Sequence, residues 1–464
     1  MDGSFFGDLL QSIADRGRAL VGLPRGEPAG GDLIGLCEAL LSGRGEASGV
    51  ALAQEILDGY AALAPAERNR FFTTLAERFG PDHDRLRRAI SSYTAAPGDR
   101  LATELHKAAE PRRQELFRRL NLAPGGTQHL VAMREEALRN AKSIPGFDAV
   151  DADFAHLFSS WFNRGFLVLR RIDWTTPANI LQKIIRYEAV HAIHDWEDLR
   201  RRLEPPDRRC FAFFHPRLND EPLIFVEVAL TGHIAGSIAE VLSEDRTPIA
   251  PDKASTAIFY SISNCQEGLR GISFGNFLIK QVVQELSREL PGLRTFVTLS
   301  PVPGFAGWLA KERRREDGLM ADDEKERLKA LDGEGGHRDQ AALEALQPLL
   351  LSVAARYFLK AQGANGRPVD PVARFHLGNG ARLERINAMG DRSPKGLAQA
   401  HGLMVNYLYD LRHIERNHEA YAAAGTVAAS SAVQRLAAQK PVPPKPSKAK
   451  ADLPALPPPT PAEP

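Results

Sequence analysis

The chain has 464 residues, 43% of them hydrophobic, enough for at least one sizeable core and, by ordinary domain lengths, two or three domains. Lysine plus arginine number 59 against 58 for aspartate plus glutamate, so no global field draws nucleic acid or an anionic membrane, and an anionic ligand needs a local site. Three scattered cysteines, Cys37, Cys210 and Cys265, are too few for a disulfide framework or a structural zinc cluster and fit a reducing compartment.

Residues 1–31 lack the basic-then-apolar order of a secretory signal and read as a flexible N-terminus, no apolar run anywhere in the chain approaches membrane-spanning length, and a soluble, cytoplasmic protein is expected. From Asp32 to about Arg171 the pattern is helical. Leu130, Met133, Ala137 and Leu138 share one helix face, and Phe154, Leu157, Phe158 and Trp161 share another, with Asp151 or Asp153 as the expected cap. Proline and glycine at Ala64-Pro65, Gly80-Pro81, Pro97-Gly98 and Pro124-Gly126 punctuate these helices. An all-helical domain over 32–165 follows, expected to serve packing or oligomerisation.

After Trp174 the texture changes. Helical stretches at Ile180 to Val190 and Trp196 to Leu203 precede β-rich runs at Cys210 to Phe214, Leu223 to Leu230, Thr256 to Ser263 and Arg294 to Leu299. Strands alternating with helices predict an α/β domain with a central mixed sheet over 166–436. Within it, 311–336 is charged and reads as a solvated helical insertion. A helix from Gln340 to Leu359 leads to two strands, Val372 to Leu377 and Ala381 to Ile386, joined by the turn signal Gly378-Asn379-Gly380, and then to a helix from Leu397 to about Ile414. The Pro/Lys/Ala-rich tail, 437–464, is too poor in apolar residues to order itself.

The strand Ala257 to Ser263 runs into a glycine-containing loop, Arg270-Gly271-Ile272-Ser273-Phe274-Gly275-Asn276, that opens an amphipathic helix. Unpaired N–H groups and the helix dipole make such a junction a cradle for a pyrophosphate. Alone, the spacing is equally that of an ordinary strand-to-helix turn. Ser300 follows the strand Thr295 to Leu299, at the kind of strand end where open α/β sheets bind ligands, although a serine capping a helix near Pro303 has the same pattern. No Gly-x-Ser-x-Gly elbow surrounds it. His376, read as lying on a strand beside Val372 and Arg374, is the acid/base candidate. His191 and His194 have an i, i+3 spacing on what reads as a helix surface, without a third ligand, and are assigned no metal.

Taken in order, Phe259 to Ser263, Gly268 to Gly271, Thr298 to Phe305, Pro371 to Ala381 and Gly402 to Tyr409 resemble the malonyl-CoA decarboxylase family, from roughly Leu33 to about Leu436. The resemblance implies a helical N-terminal domain involved in oligomer contacts, a GNAT-like α/β catalytic domain, and conversion of malonyl-CoA to acetyl-CoA and carbon dioxide. It implies a catalytic serine at Ser300, a catalytic histidine at His376, a CoA loop from Arg270 to Asn276, and Ser261 and Tyr409 as further polar positions of the site. Ser273 stands where animal members have an acidic residue, which leaves its role open. No resident cofactor or metal is expected, because the thioester carbonyl itself serves as the electron sink. Two rival readings use the same cradle: an N-acyltransferase, and a binding protein that does not turn CoA esters over.

Overall fold

The computed structural model describes residues 32–42, 46–272, 278–332, 340–363 and 366–439. The expectations for residues 1–31, for the tail beyond 439, for 333–336 of the insertion and for Ser273, Phe274, Gly275 and Asn276 therefore lie outside the described residues.

Among the described residues eight helices, Leu33–Leu41, Glu46–Ala62, Pro65–Arg78, His83–Ala95, Asp99–Ala109, Arg112–Leu120, Gly126–Arg139 and Phe147–Trp161, form the N-terminal region. Apolar positions at helical spacing converge on an aromatic core, in which Phe117 stacks on Phe154 with ring centroids 4.2 Å apart and Phe72 meets both Phe147 and Phe154 edge-on. The His83–Ala95 helix contributes no buried residue to that core. Neither Asp151 nor Asp153 caps the last helix. It begins earlier, at Phe147, behind Gly146 in the left-handed region (φ 73°), and these two aspartates pair with arginines of neighbouring helices: Asp153 with Arg113, Asp151 with Arg134.

Helix gives way to strand before Arg171. Val168–Ile172 is β1, an edge strand that buries only Ile172 and so carries little alternation for the sequence to display. Strands β2 (Arg208–Phe214), β3 (Pro222–Thr231), β4 (Thr256–Asn264), β5 (Thr295–Thr298), β6 (Ser300–Pro301), β7 (Arg382–Asn387) and β8 (Met404–Leu408) complete a mixed sheet in the order β1-β2-β3-β4-β5-β8-β6, with β7 beside β8. Pairing is antiparallel from β1 to β4, parallel between β4 and β5, and antiparallel thereafter. The helix Leu278–Glu289, joining the parallel pair, buries Leu278, Ile279, Val282, Val283 and Leu286. This is the expected α+β architecture, a helical region followed by an α/β domain with a mixed sheet.

Several local readings change. Val372 to Leu377 is part of a helix, Pro371–Gly378, not a hairpin strand: Asp370 accepts the Ala373 N–H at 2.8 Å and Pro371 takes the first helical position, while Gly380 (φ 82°) ends the turn. The predicted helix from Leu397 is a short helix, Pro394–Ala400, stopped by His401 and Gly402 at positive φ, then strand β8, then a helix Ile414–Ala424. The charged insertion is not merely solvated. Glu324 of its Asp322–Arg327 helix is 1% exposed and bound to Arg356, and Met320 and Leu328 join the core. Ala341–Lys360 is apolar and long enough to cross a membrane, contrary to the sequence reading, yet most of its length is buried inside the protein, including Leu343, Leu350, Val353 and Tyr357.

Candidate active site

Strands β4 and β5 run parallel from Thr256↔Thr295 to Phe259↔Thr298 and then part, β4 continuing to Asn264 while the chain turns into β6 against β8. At the same level β4 carries a bulge: Ser261 faces Glu227 and Phe259 faces Val228, so Tyr260 is the extra residue. A crevice opens where the strands separate, and the helix Pro371–Gly378 lies across it.

Ser300 and His376 meet there. Ser300 Oγ lies 3.2 Å from His376 Nε2, and His376 Nδ1 lies 2.8 Å from the Tyr409 hydroxyl. The Ser300 hydroxyl donates to Thr298 Oγ1 at 2.9 Å, and Thr298 Oγ1 also accepts the Tyr407 N–H. With its own hydrogen spent on Thr298, Ser300 can only accept from the imidazole, which places the ring hydrogen on Nε2 and makes Nδ1 the acceptor of the Tyr409 hydroxyl. The ring stacks on Tyr407 at 4.6 Å. Burial pushes the His376 pKa down to about 3 and the Tyr409 pKa well up, so in the free protein the imidazole is neutral and the phenol keeps its proton.

This pair lines one cavity, and a second, larger one lies beside it. The smaller, about 240 Å³, is lined by Ser300, His376, Phe259, Ile262, Leu299, Pro371 and Val372 among others, with no lysine or arginine among its described lining residues. The larger, about 580 Å³, carries Arg270, Gly271 and Ile272 on one side and Arg367, Arg374 and His418 on the other. Asn264 and Phe375 line both. Gly271 has φ 83° and open space where a side chain would begin. Val190, a wall of the smaller cavity, sits in a segment whose carbonyls are held by Lys395 (Ala189, 2.9 Å) and Arg202 (His191, 2.8 Å) and whose N–H groups are held by Glu188.

Of the residues named from the sequence, Ser300, His376 and Tyr409 come together, while Arg270, Gly271 and Ile272 line the larger cavity. Ser261 does not join them. Its hydroxyl is 2.7 Å and 2.9 Å from the two Glu188 carboxylate oxygens, and it lines neither cavity. His191 lies in the segment after the Ala178–Tyr187 helix and not on a helix surface, because Glu188 turns back to accept the Val190 and His191 N–H groups. Thr298, Arg367, Arg374, Phe375 and His418 were missed. Only Thr298 had a signal, two residues before Ser300 on an extended segment and so on the same face. Among the described residues no group of three His, Cys, Asp or Glu side chains converges to hold a metal ion.

Residues 165–448 match the family model of the malonyl-CoA decarboxylase C-terminal domain, and residues 79–162 match that of the malonyl-CoA decarboxylase N-terminal domain. The chain belongs to the malonyl-CoA decarboxylase family. The mitochondrial malonyl-CoA decarboxylase of Anser anser anser is 36% identical to it over 409 residues, 81% of either chain. The crystal structure of malonyl-CoA decarboxylase from Rhodopseudomonas palustris is 61% identical and superposes with a TM-score of 0.83, covering 87% of this chain and 98% of that one. The corresponding structure from Agrobacterium vitis is 60% identical with a TM-score of 0.83, covering 88% and 99%. Family membership thus spans both the helical region and the sheet domain that holds Ser300 and His376.

Proposed function

We propose that this protein decarboxylates malonyl-CoA to acetyl-CoA and carbon dioxide. The reading rests on one observation above all: a serine–histidine pair, 3.2 Å apart, walls a small cavity free of lysine and arginine among its described residues, next to a larger cavity bearing three arginines. The larger cavity takes the phosphates of CoA through Arg270, Arg367 and Arg374. The malonyl end passes Asn264 and Phe375, which line both cavities.

In the smaller cavity the malonyl carboxylate exchanges water for Phe259, Ile262, Leu299 and Val372 without gaining a fixed cation from the described lining. Ser300 holds the carboxylate out of the thioester plane, so that the breaking carbon–carbon bond overlaps the carbonyl π system. As the carboxylate arrives beside His376 it favours the imidazolium, reversing the effect of burial, and one proton enters with the substrate. Carbon dioxide leaves, its bonding pair forms the enolate, and His376 Nε2–H delivers its proton to the former methylene carbon. The products are acetyl-CoA, carbon dioxide and a neutral imidazole whose remaining hydrogen is on Nδ1, from which the resting Nε2–H form returns by proton exchange. Tyr409 serves both charge states, donating to Nδ1 when the ring is neutral and accepting from Nδ1–H when it is charged.

The test is incubation of the purified protein with malonyl-CoA alone. Acetyl-CoA and carbon dioxide should appear in equal amounts. Consumption that requires an added amine would assign the site to an acyltransferase, and binding without turnover would make it a CoA-ester binding protein. A homo-oligomer through the helical region is part of the same proposal, supported by the His83–Ala95 helix, which buries nothing within the chain and exposes Ile90; light scattering of the full chain reads its mass directly.

A further inference from the structure

The turn that lines the larger cavity at Arg270, Gly271 and Ile272 is anchored by the N-terminal helical region. Arg134, on the Gly126–Arg139 helix of the N-terminal region, is 3% exposed, and its Nη1 donates to the carbonyls of Gly268 at 2.8 Å and Arg270 at 3.0 Å, while Nε binds Asp151 at 2.7 Å. The contact is close because Gly268 has no side chain. A β-carbon there would fall 2.1 Å from the Val131 carbonyl oxygen of the same helix. Beyond the 3₁₀ turn Glu267–Leu269 come Arg270, Gly271 and Ile272, all three lining the larger cavity.

In a trans peptide the C=O and N–H point in opposite directions. With the Arg270 carbonyl fixed on Arg134, the Gly271 N–H is turned away from the helical region. An N–H so placed, in a residue that lines the larger cavity, is a donor for a phosphate oxygen.

We infer that Arg134 is a positioning residue for CoA, so that the helical region is a working part of the coenzyme site and not only a packing module. The inference rests on the assignment of the larger cavity to CoA made above. A planar guanidinium serves two carbonyls and a carboxylate at once; a lysine ammonium presents one point of charge and does not reproduce that fork. Removing Arg134 frees the peptide between Arg270 and Gly271 to rotate, which weakens coenzyme binding without touching Ser300 or His376.

Titration calorimetry with CoA and steady-state kinetics with malonyl-CoA test this on the full chain. R134K is expected to raise the CoA Kd and the malonyl-CoA KM about tenfold or more, with kcat at saturation within about threefold of the parent. Hydrogen exchange across 265–272 should quicken in the same variant. R139A provides the control, because Arg139 reaches the same turn only through an exposed pair with Glu267 at 3.6 Å, and its Kd is expected to stay within about twofold. If R134K does not fold, D151N loosens the same guanidinium from a partly exposed partner and is expected to raise Kd about threefold. An unchanged Kd in folded R134K or in D151N, a loss confined to kcat, or an equal shift in R139A overturns the inference. Failure of the parent protein to bind CoA would instead overturn the assignment of the larger cavity.

Discussion

Two serine-bearing clusters flank the end of β4, and they differ in what their hydrogen bonds leave over. In the first, Ser261 and Ser263 both donate to Glu188, whose Oε1 also accepts the Val190 and His191 N–H groups. Its bonding capacity is spent inside the protein, and its work is to hold the wall that Val190 presents to the smaller cavity. The second, Thr298, Ser300, His376 and Tyr409, is linked just as continuously, yet two of its members, Ser300 and His376, line the cavity. A polar cluster becomes a candidate for chemistry when part of its bonding capacity faces a space that a substrate can enter.

The largest effect that would break this contrast is expected at His376. His376→Asn should lower kcat by about 10² to 10⁴, the usual span for loss of a general acid, while calorimetry shows CoA binding within a few fold of the parent. Near-normal carbon dioxide release by this variant would remove the histidine from the mechanism.

The pH dependence sharpens the same point. Burial holds the free imidazole neutral down to about pH 3, so in the proposed scheme the proton that charges the ring is taken up with the substrate. On this scheme kcat/KM rises as pH falls from about 7 toward 5, approaching about tenfold per unit, because kcat/KM reports groups of the free enzyme. Initial rates at low substrate over that range measure the slope. A flat profile would show instead that the proton comes from a neutral hydroxyl or imidazole already in place.

The smallest effect is expected on the other side of β4. Ser261→Ala removes the one hydroxyl hydrogen shared between the two Glu188 oxygens and should cost about 1 to 3 kcal/mol of stability, with kcat within about threefold of the parent. Chemical denaturation gives the first figure and the malonyl-CoA assay the second. A kcat loss comparable to that of His376→Asn, without loss of stability, would return Ser261 to the reacting centre.

Much of the architecture was legible before any coordinates because its signals are local and repeated. The helical N-terminal region shows itself in the apolar faces at Leu130 to Leu138 and Phe154 to Trp161 and in its proline and glycine breaks, and β3 and β4 read as runs dense in apolar residues because the sheet buries both faces. Errors fell where two local signals competed. The Asp370-Pro371 helix start won over the Gly378-Asn379-Gly380 turn signal, and the buried strand β8 interrupted what reads as one helix.

By itself the sequence determined the residue types available for chemistry, the strand–loop–helix order around Arg270 and Gly271, and a resemblance strong enough to name Ser300 and His376. Only the tertiary structure decided which polar groups face a cavity, that Ser261 is bound to Glu188, that Thr298 takes the Ser300 hydrogen, and that Arg134 reaches the Gly268 carbonyl from 134 positions away in the chain. The physical reason is range: helix and strand periodicities repeat every two to four residues, whereas burial, proton affinity and the partners of a hydrogen bond depend on which distant segments the fold packs together.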